Sequence, residues 1–365
     1  MDIKLKQNVL VLIISIGYQV FCSSAWQDIH TSFYWKIANY LMYVAIYFLA
    51  AYETAFMNFN KKRAIFFVVL TSLIIIGLLK GQTAAVMVFI YCALAINMST
   101  RDLISAYLVA LIIAILMVIV LCVAGILPSY TEAGLLAWGF RNPNALGFYL
   151  ALIFLLGQTL VTHSNWIINI VAFILVLVVY LPLNDHTASL MIILGLVLGW
   201  CSSIFKYKII NICISTMPLF FTGLVFWIGH NYTNYAWMPR FNDFFTLRPM
   251  IWHFYFDNFP VTWLGTAIPD MKLIGFGAFD GAYAFYTITF GILFISTVVG
   301  ALTWSLKKTL NSQNYYLTIL LLVLTLAAVS ENTPFIGFQS PLIPLAFLIC
   351  YHTLSTKNES DGVLK

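Results

Sequence analysis

Along most of this chain apolar residues run on without the alternation a half-buried strand would show, and polar residues collect in short punctuating turns. Long continuous runs of this kind are helical when hydrocarbon surrounds them, because the backbone must then satisfy its own hydrogen bonds. They predict helices near residues 7–25, 36–57, 64–79, 83–98, 103–127, 144–162, 166–182, 187–205, 209–229, 281–305, 315–330 and 338–355. At about 20 residues per bilayer crossing, these are twelve candidate spans. Two divisions rest on little, namely Lys80-Gly81-Gln82 and His163-Ser164-Asn165.

One stretch breaks the pattern, from about His230 to Asp280. It is rich in aromatics (Tyr232, Tyr235, Trp237, Trp252, Tyr255, Trp263) and carries Arg240, Asp243, Arg248, His253, Asp257, Asp270 and Lys272. So aromatic a segment does not match the polar composition of disorder, and loops this long are usually functional. A short amphipathic helix is expected over Arg248–Asn258, packed on the outer membrane surface.

Composition agrees with the pattern. Of 365 residues 62% are hydrophobic and 8% charged, with mean hydropathy +0.94. A soluble domain carries about 25% charged residues, so a water-soluble fold is excluded. The predicted fold class is therefore all-α, a single polytopic integral membrane domain with one long extracytoplasmic loop. The net charge of +5 gives no reason to expect a nucleic-acid partner, since most basic residues sit in loops where topology places them.

With the N-terminus cytoplasmic, the inner loops hold Lys4, Lys6, Lys61, Lys62, Arg63, Arg101, Lys206, Lys208, Lys307, Lys308, Lys357 and Lys365. The outer loops hold Lys36, Lys80, Arg141, Arg240, Arg248 and Lys272. Both termini are thus predicted cytoplasmic. Arginine is concentrated on the outer side, and its planar fork suits phosphate better than lysine does. All six cysteines lie in apolar segments without metal-ligand spacing. The first segment, with Lys4 and Lys6 before it and Ser23-Ser24-Ala25 after, has the form of a signal peptide but is read as an uncleaved span.

The outer loops hold the candidate chemistry. Arg141, Asn142 and Asn144 flank Pro143 at a helix start; they are either a helix-start signal or the lining of an anion cavity. Asp185-His186 is either an acid–base pair or a polar turn. Arg248 is the sharpest candidate for a phosphate or sugar contact. Asp280 and Glu331 are each a candidate acid or base, or a helix-end charge. There is no Walker loop, dinucleotide glycine motif, HExxH or paired-aspartate nucleotide-sugar motif, so a soluble nucleotide is not expected as donor. Span interiors are nearly free of charge, which argues against a transporter.

The segment Gly139-Phe140-Arg141-Asn142-Pro143-Asn144-Ala145-Leu146-Gly147 resembles the N-P-N-x-x-G signature of bacterial polysaccharide polymerases. So do Arg248 followed by Ile251-Trp252 and Gly265, Asp280-x-x-Tyr283 with Gly291, and Glu331 after an apolar run. In this order the set resembles the Wzy-type O-antigen, capsule and exopolysaccharide polymerases of the O-antigen ligase and polymerase superfamily. The resemblance implies a GT-C-like glycosyltransferase that joins undecaprenyl-pyrophosphate-linked oligosaccharide repeat units on the outer face of the cytoplasmic membrane, without nucleotide, metal or other cofactor. It implies pyrophosphate or sugar contacts from Arg141, Arg248, Arg240, Asn142, Asn144, Trp252 and Tyr283, and a base among His253, His186, Asp280 and Glu331. A flippase and a chain-length regulator are the implied partners besides the lipid carrier and the bilayer. Related polymerases often have Ser-Arg-Thr where this chain has Asp185-His186-Thr187, and ligases tend to carry His where it has Asp280. The alternatives are a ligase-like transferase and a lipid-linked oligosaccharide flippase or transporter.

Overall fold

The structure is a computed structural model and describes residues 3–29, 33–57, 61–161, 166–244, 247–268 and 279–355. The expected turn at His163-Ser164-Asn165, and Asp270 and Lys272 of the long loop, lie outside these residues. Among the described residues the chain is all-helical, with no strand and two isolated bridges, Ser24 to Phe140 and Tyr130 to Leu136. In order the helices are α1 (Ile3–Cys22), α2 (Trp26–Ile29), α3 (Phe33–Tyr52), α4 (Lys61–Leu79) and α5 (Thr83–Ala95). Next come α6 (Thr100–Val123), α7 (Pro143–Val161), α8 (Trp166–Tyr180), α9 (His186–Trp200) and α10 (Lys208–Asn231). The last five are α11 (Met238–Phe244), α12 (Arg248–Asn258), α13 (Ala282–Asn311), α14 (Tyr315–Ala327) and α15 (Leu342–Ser355).

Each of the twelve apolar segments is helical, and the boundaries move for local reasons. The first helix stops at Cys22 because the Ser23 and Ser24 hydroxyls donate back to the carbonyls of Val20 and Phe21, at 2.7 and 2.6 Å. The fifth segment ends at Val123, two residues before Gly125 turns left-handed at φ 75°. A π-helical turn, Glu53–Met57, continues α3 to the expected end of the second segment. Among the described residues α4, α6, α7, α10 with its following turn, and α13 are long and apolar enough to cross a membrane, while six further apolar helices are shorter. The molecule is thus an all-α, multi-pass protein of membrane type. Its outward faces agree, with Phe48 65% and Leu79 81% exposed, a surface that a bilayer covers and water would not.

Inside, α1 packs on α6, α4 on α5, and α10 on both α12 and α13, while α13 also meets α15. The break in α13 organises one side of this core. At Gly291 the backbone turns to φ 87°, ψ 176°, so two helices meet end to end. The groups freed there are taken up by an extended strap from the long loop: Thr266 N–H donates to the Ile288 carbonyl (2.8 Å), and the N–H groups of Ile292 and Leu293 donate to Thr262 (3.0 Å) and Trp263 (3.1 Å). Gln82, in the turn before α5, donates through Nε2 to the carbonyls of Leu264 (2.8 Å) and Thr289 (2.6 Å). A side chain at either Gly265 or Gly291 would strike this strap or the helix it joins.

Replacing Gly291 by Ala therefore combines a positive-φ extended backbone that essentially only glycine adopts, which costs about 1–3 kcal/mol for a residue with a Cβ, with a steric clash against Trp263 and Gly265. Thermal unfolding of the purified protein in lipid should show a clear loss of stability for Gly291→Ala. It should show none for Gly157→Ala, where an added Cβ meets open space.

Candidate functional site

Four loops at one end of the bundle bring their charges together around Arg248. Arg248 is the first residue of α12, whose start is set by the left-handed Leu247 (φ 66°) and by Pro249 in the first turn. Asn242 of α11 closes that turn by accepting from the backbone N–H of Met250 at 3.0 Å. The Arg248 Nε donates to the Ser330 carbonyl (2.7 Å), and Nη2 donates to Glu331 Oε1 (3.1 Å) and lies 3.9 Å from Asp280 Oδ2. The Arg248 and Glu331 side chains are each only 13% exposed, against 35% for Asp280.

The frame around them is built mainly from backbone bonds. Trp252, four residues and so one helical turn beyond Arg248, donates from Nε1 to the Asp280 carbonyl at 3.0 Å. Gly281, at φ 103°, leaves room for that indole, and a Cβ there would meet it at 2.8 Å. The Ala282 N–H donates to Ala328 (2.8 Å) and Glu331 (3.3 Å) carbonyls, and Asn332 Nδ2 donates to the Phe279 carbonyl (2.6 Å). Tyr255 stacks on Phe279 with centroids 3.7 Å apart. The start of α13 and the end of α14 are thereby tied to each other and to α12.

A third carboxylate belongs to the group. Asp185 is 4% exposed and caps α9 by accepting from the Ala188 N–H at 3.0 Å. It lies against Gly147 of α7, where no side chain would fit. The result is one guanidinium facing three partly or wholly buried carboxyls, and burial disfavours their charged forms. Burial raises the Glu331 carboxyl most, the neighbouring Asp280 adds to this, and Arg248 opposes it; the outcome is a pKa of about 8. Asp185 raises it further, while the Thr187 hydroxyl works the other way. Burial also pushes up Asp280 against the pull of Arg248. It pushes up Asp185 against the Ala188 and Thr187 amides, His186 and Arg248.

The remaining candidates are placed differently. His253 stands five residues from Arg248, about 140° round the helix at 100° per residue, and faces α10: its Nδ1 meets the Gly229 carbonyl at 2.6 Å and its Nε2 lies 3.4 Å from Asp257. His186 is exposed and packs edge-on against Tyr180, so of the pair Asp185-His186 it is the aspartate that is buried towards Arg248. Arg141 is exposed, pairs with Asp28 at 2.8 Å and donates to Gln27 at 3.1 Å. Asn142 accepts from the Asn144 N–H at 2.9 Å, which begins α7. Arg240 is exposed on α11. Trp252 and Tyr283 are buried, Tyr283 with its hydroxyl on the Thr325 carbonyl at 3.3 Å. Among the described residues no group of three or more His, Cys, Asp and Glu side chains is placed to hold a metal ion. Asp185 was a candidate on sequence only as the partner of His186, and Gln82 and the Ser330 carbonyl were not candidates at all. A trace of the first was there in Gly147, whose missing side chain is the space the aspartate occupies.

The raised Glu331 carboxyl makes stability depend on pH with a definite sign. An ordinary carboxyl is ionised well below neutrality, whereas the folded chain holds this proton up to about 8. The stability it contributes is fully present below the ordinary carboxylate pKa and is lost as pH rises through about 8. Melting temperature should therefore fall between about pH 5 and 9 more steeply for the parent than for Glu331→Gln, which is neutral throughout; parallel curves would show that Glu331 is ionised over the whole range. Comparison with models of known protein families, with curated proteins and with solved structures returns no match for this chain.

Proposed function

We propose that this protein is a glycan polymerase of the kind its sequence resembles, acting on undecaprenyl-pyrophosphate-linked repeat units at the outer face of the cytoplasmic membrane. In this reading all twelve apolar helices cross the bilayer in a GT-C-like arrangement, and both termini are cytoplasmic. The observation that carries the proposal is Arg248 held among Glu331, Asp280 and Asp185 at loop ends on one side of the bundle. A cation for pyrophosphate and a carboxyl able to exchange a proton near neutrality, here Glu331, are what glycosyl transfer from a lipid pyrophosphate requires.

The step is a displacement. A hydroxyl oxygen of the acceptor repeat unit bonds to the anomeric carbon of the growing glycan, and the bond from that carbon to the pyrophosphate oxygen breaks. Undecaprenyl pyrophosphate leaves with the electron pair, and the hydroxyl proton passes to a carboxylate, for which Glu331 in its ionised form is the stronger base. As Glu331 becomes neutral its hold on Arg248 weakens, just as the leaving pyrophosphate gains charge for the guanidinium to meet. Arg141, at the exposed start of α7, is a second cation for the donor or acceptor phosphates. A flippase that delivers repeat units and a chain-length regulator are the partners this activity calls for.

The test is reconstitution of the purified protein in vesicles with lipid-linked repeat units from the native strain. Products should form a ladder spaced by one repeat. Arg248→Ala should lower the rate by about 10²–10³-fold, the range for loss of one charge-stabilising donor. With Glu331 as base, the rate should climb as pH rises towards about 8, and Glu331→Gln should remove that climb along with most of the activity. Substrate that binds and stays unpolymerised would overturn the proposal.

A further inference from the structure

Beside the strap joint, α3, α4 and α5 leave an apolar groove of about 250 Å³. Its floor is Tyr43, Ile74, Val86 and Ile90, each at most 7% exposed. Its rims are Val44 and Phe48 of α3 and Ile75 and Leu78 of α4, all at least half exposed. A buried floor between exposed apolar rims is a slot that opens sideways onto the surface the bilayer covers, not an internal packing defect. The Tyr47 hydroxyl meets Thr71 at 3.2 Å, and apart from the hydroxyls of Tyr40 and Tyr43 the lining residues offer hydrocarbon and aromatic rings. Such a lining, which holds no charged group, favours a flexible hydrocarbon chain over a sugar or a phosphate.

The groove is also joined to the carboxylate cluster. Gln82 stands one turn before Val86 and grips both the strap at Leu264 and the broken helix at Thr289. From Thr289 the first half of α13 runs seven residues to Ala282, about 10 Å at 1.5 Å per residue, and ends beside Asp280 and Arg248. A lipid whose charged head sits at Arg248 would run its tail along the half-helix and past Gln82 to reach the groove.

We infer that this groove seats the polyprenyl tail of the lipid-linked substrate, holding the chain in place while its pyrophosphate is at Arg248. This rests on the proposed polymerase reading for the identity of the lipid, but the groove is tested without any turnover. The full-length protein in phosphatidylcholine vesicles is irradiated with a polyprenyl phosphate carrying a benzophenone in mid-chain, and the labelled peptides are mapped. Label is expected on α3–α5, competed by unlabelled polyprenyl phosphate and not by the same excess of phosphatidylglycerol. Ile75→Trp and Val44→Trp, at exposed rim positions that folding tolerates, should each cut that label about tenfold. Phe220→Trp, on the exposed face of α10, should not change it.

Label spread over all exposed helices, or competed equally by phosphatidylglycerol, would reduce the groove to ordinary lipid-facing surface and overturn the inference. Label in the groove without a polymer ladder in the reconstituted assay would keep the polyprenyl site and remove the polymerase. A ladder made by Ile75→Trp at the parent's rate and with its KM would keep the polymerase and show that the substrate's tail lies elsewhere.

Discussion

The arrangement turns on the burial of one guanidinium among three carboxyls. Removing charged groups from water is costly unless each meets a partner of opposite sign or a hydrogen bond. Here a single cation, Arg248, pairs with Glu331 and lies near Asp280, while Asp185 is held by the Ala188 N–H and feels Arg248 at longer range. Burial raises all three acids above ordinary carboxylate values, and the proton that remains near neutrality is the one on Glu331. The backbone ties around it follow from the same constraint. The Trp252 bond to Asp280, the Asn332 bond to Phe279 and the left-handed Gly281 all hold loop ends that would otherwise separate like charges by moving apart.

Those loop ends are positioned by helices, and the helix that matters most is not continuous. In α13 the break at Gly291 lets the first half, which carries the Asp280 end, take a direction of its own. The cost of breaking a ladder of hydrogen bonds within the apolar core is offset because the strap Thr262–Thr266 and Gln82 replace the lost partners. Non-helical backbone at such a depth is tolerated where protein groups satisfy it. The joint thus links the core packing of α5, the long loop and the carboxylate cluster in one mechanical unit.

The segment Arg248–Asn258 was readable as a helix because Pro249 sits in a first turn and aromatics follow. Its role as a platform was not, since the periodicity that puts Trp252 on the Arg248 face also turns His253 away towards Gly229. Arg141 and Arg248 both stand at helix starts, and Arg248 was the sharper candidate of the two on sequence. The fold separates them: Arg141 meets Asp28 in the open, while Arg248 is enclosed. The neighbouring residues do not fix that difference, because enclosure depends on which other loops arrive at the same place.

By itself the sequence determined that this chain is helical and of membrane type, because hydrophobicity and helix punctuation are local properties written in runs of about twenty residues. It also marked Arg248, Asp280 and Glu331 as candidates, since a charge is conspicuous in so apolar a chain. Only the tertiary structure decided which charges meet. Arg248 and Glu331 are 83 positions apart, and Gln82 and Leu264 are 182 apart. Such pairs form because packed helices bring distant turns to one end of the bundle, where buried polar groups must then find partners among whatever the packing delivers.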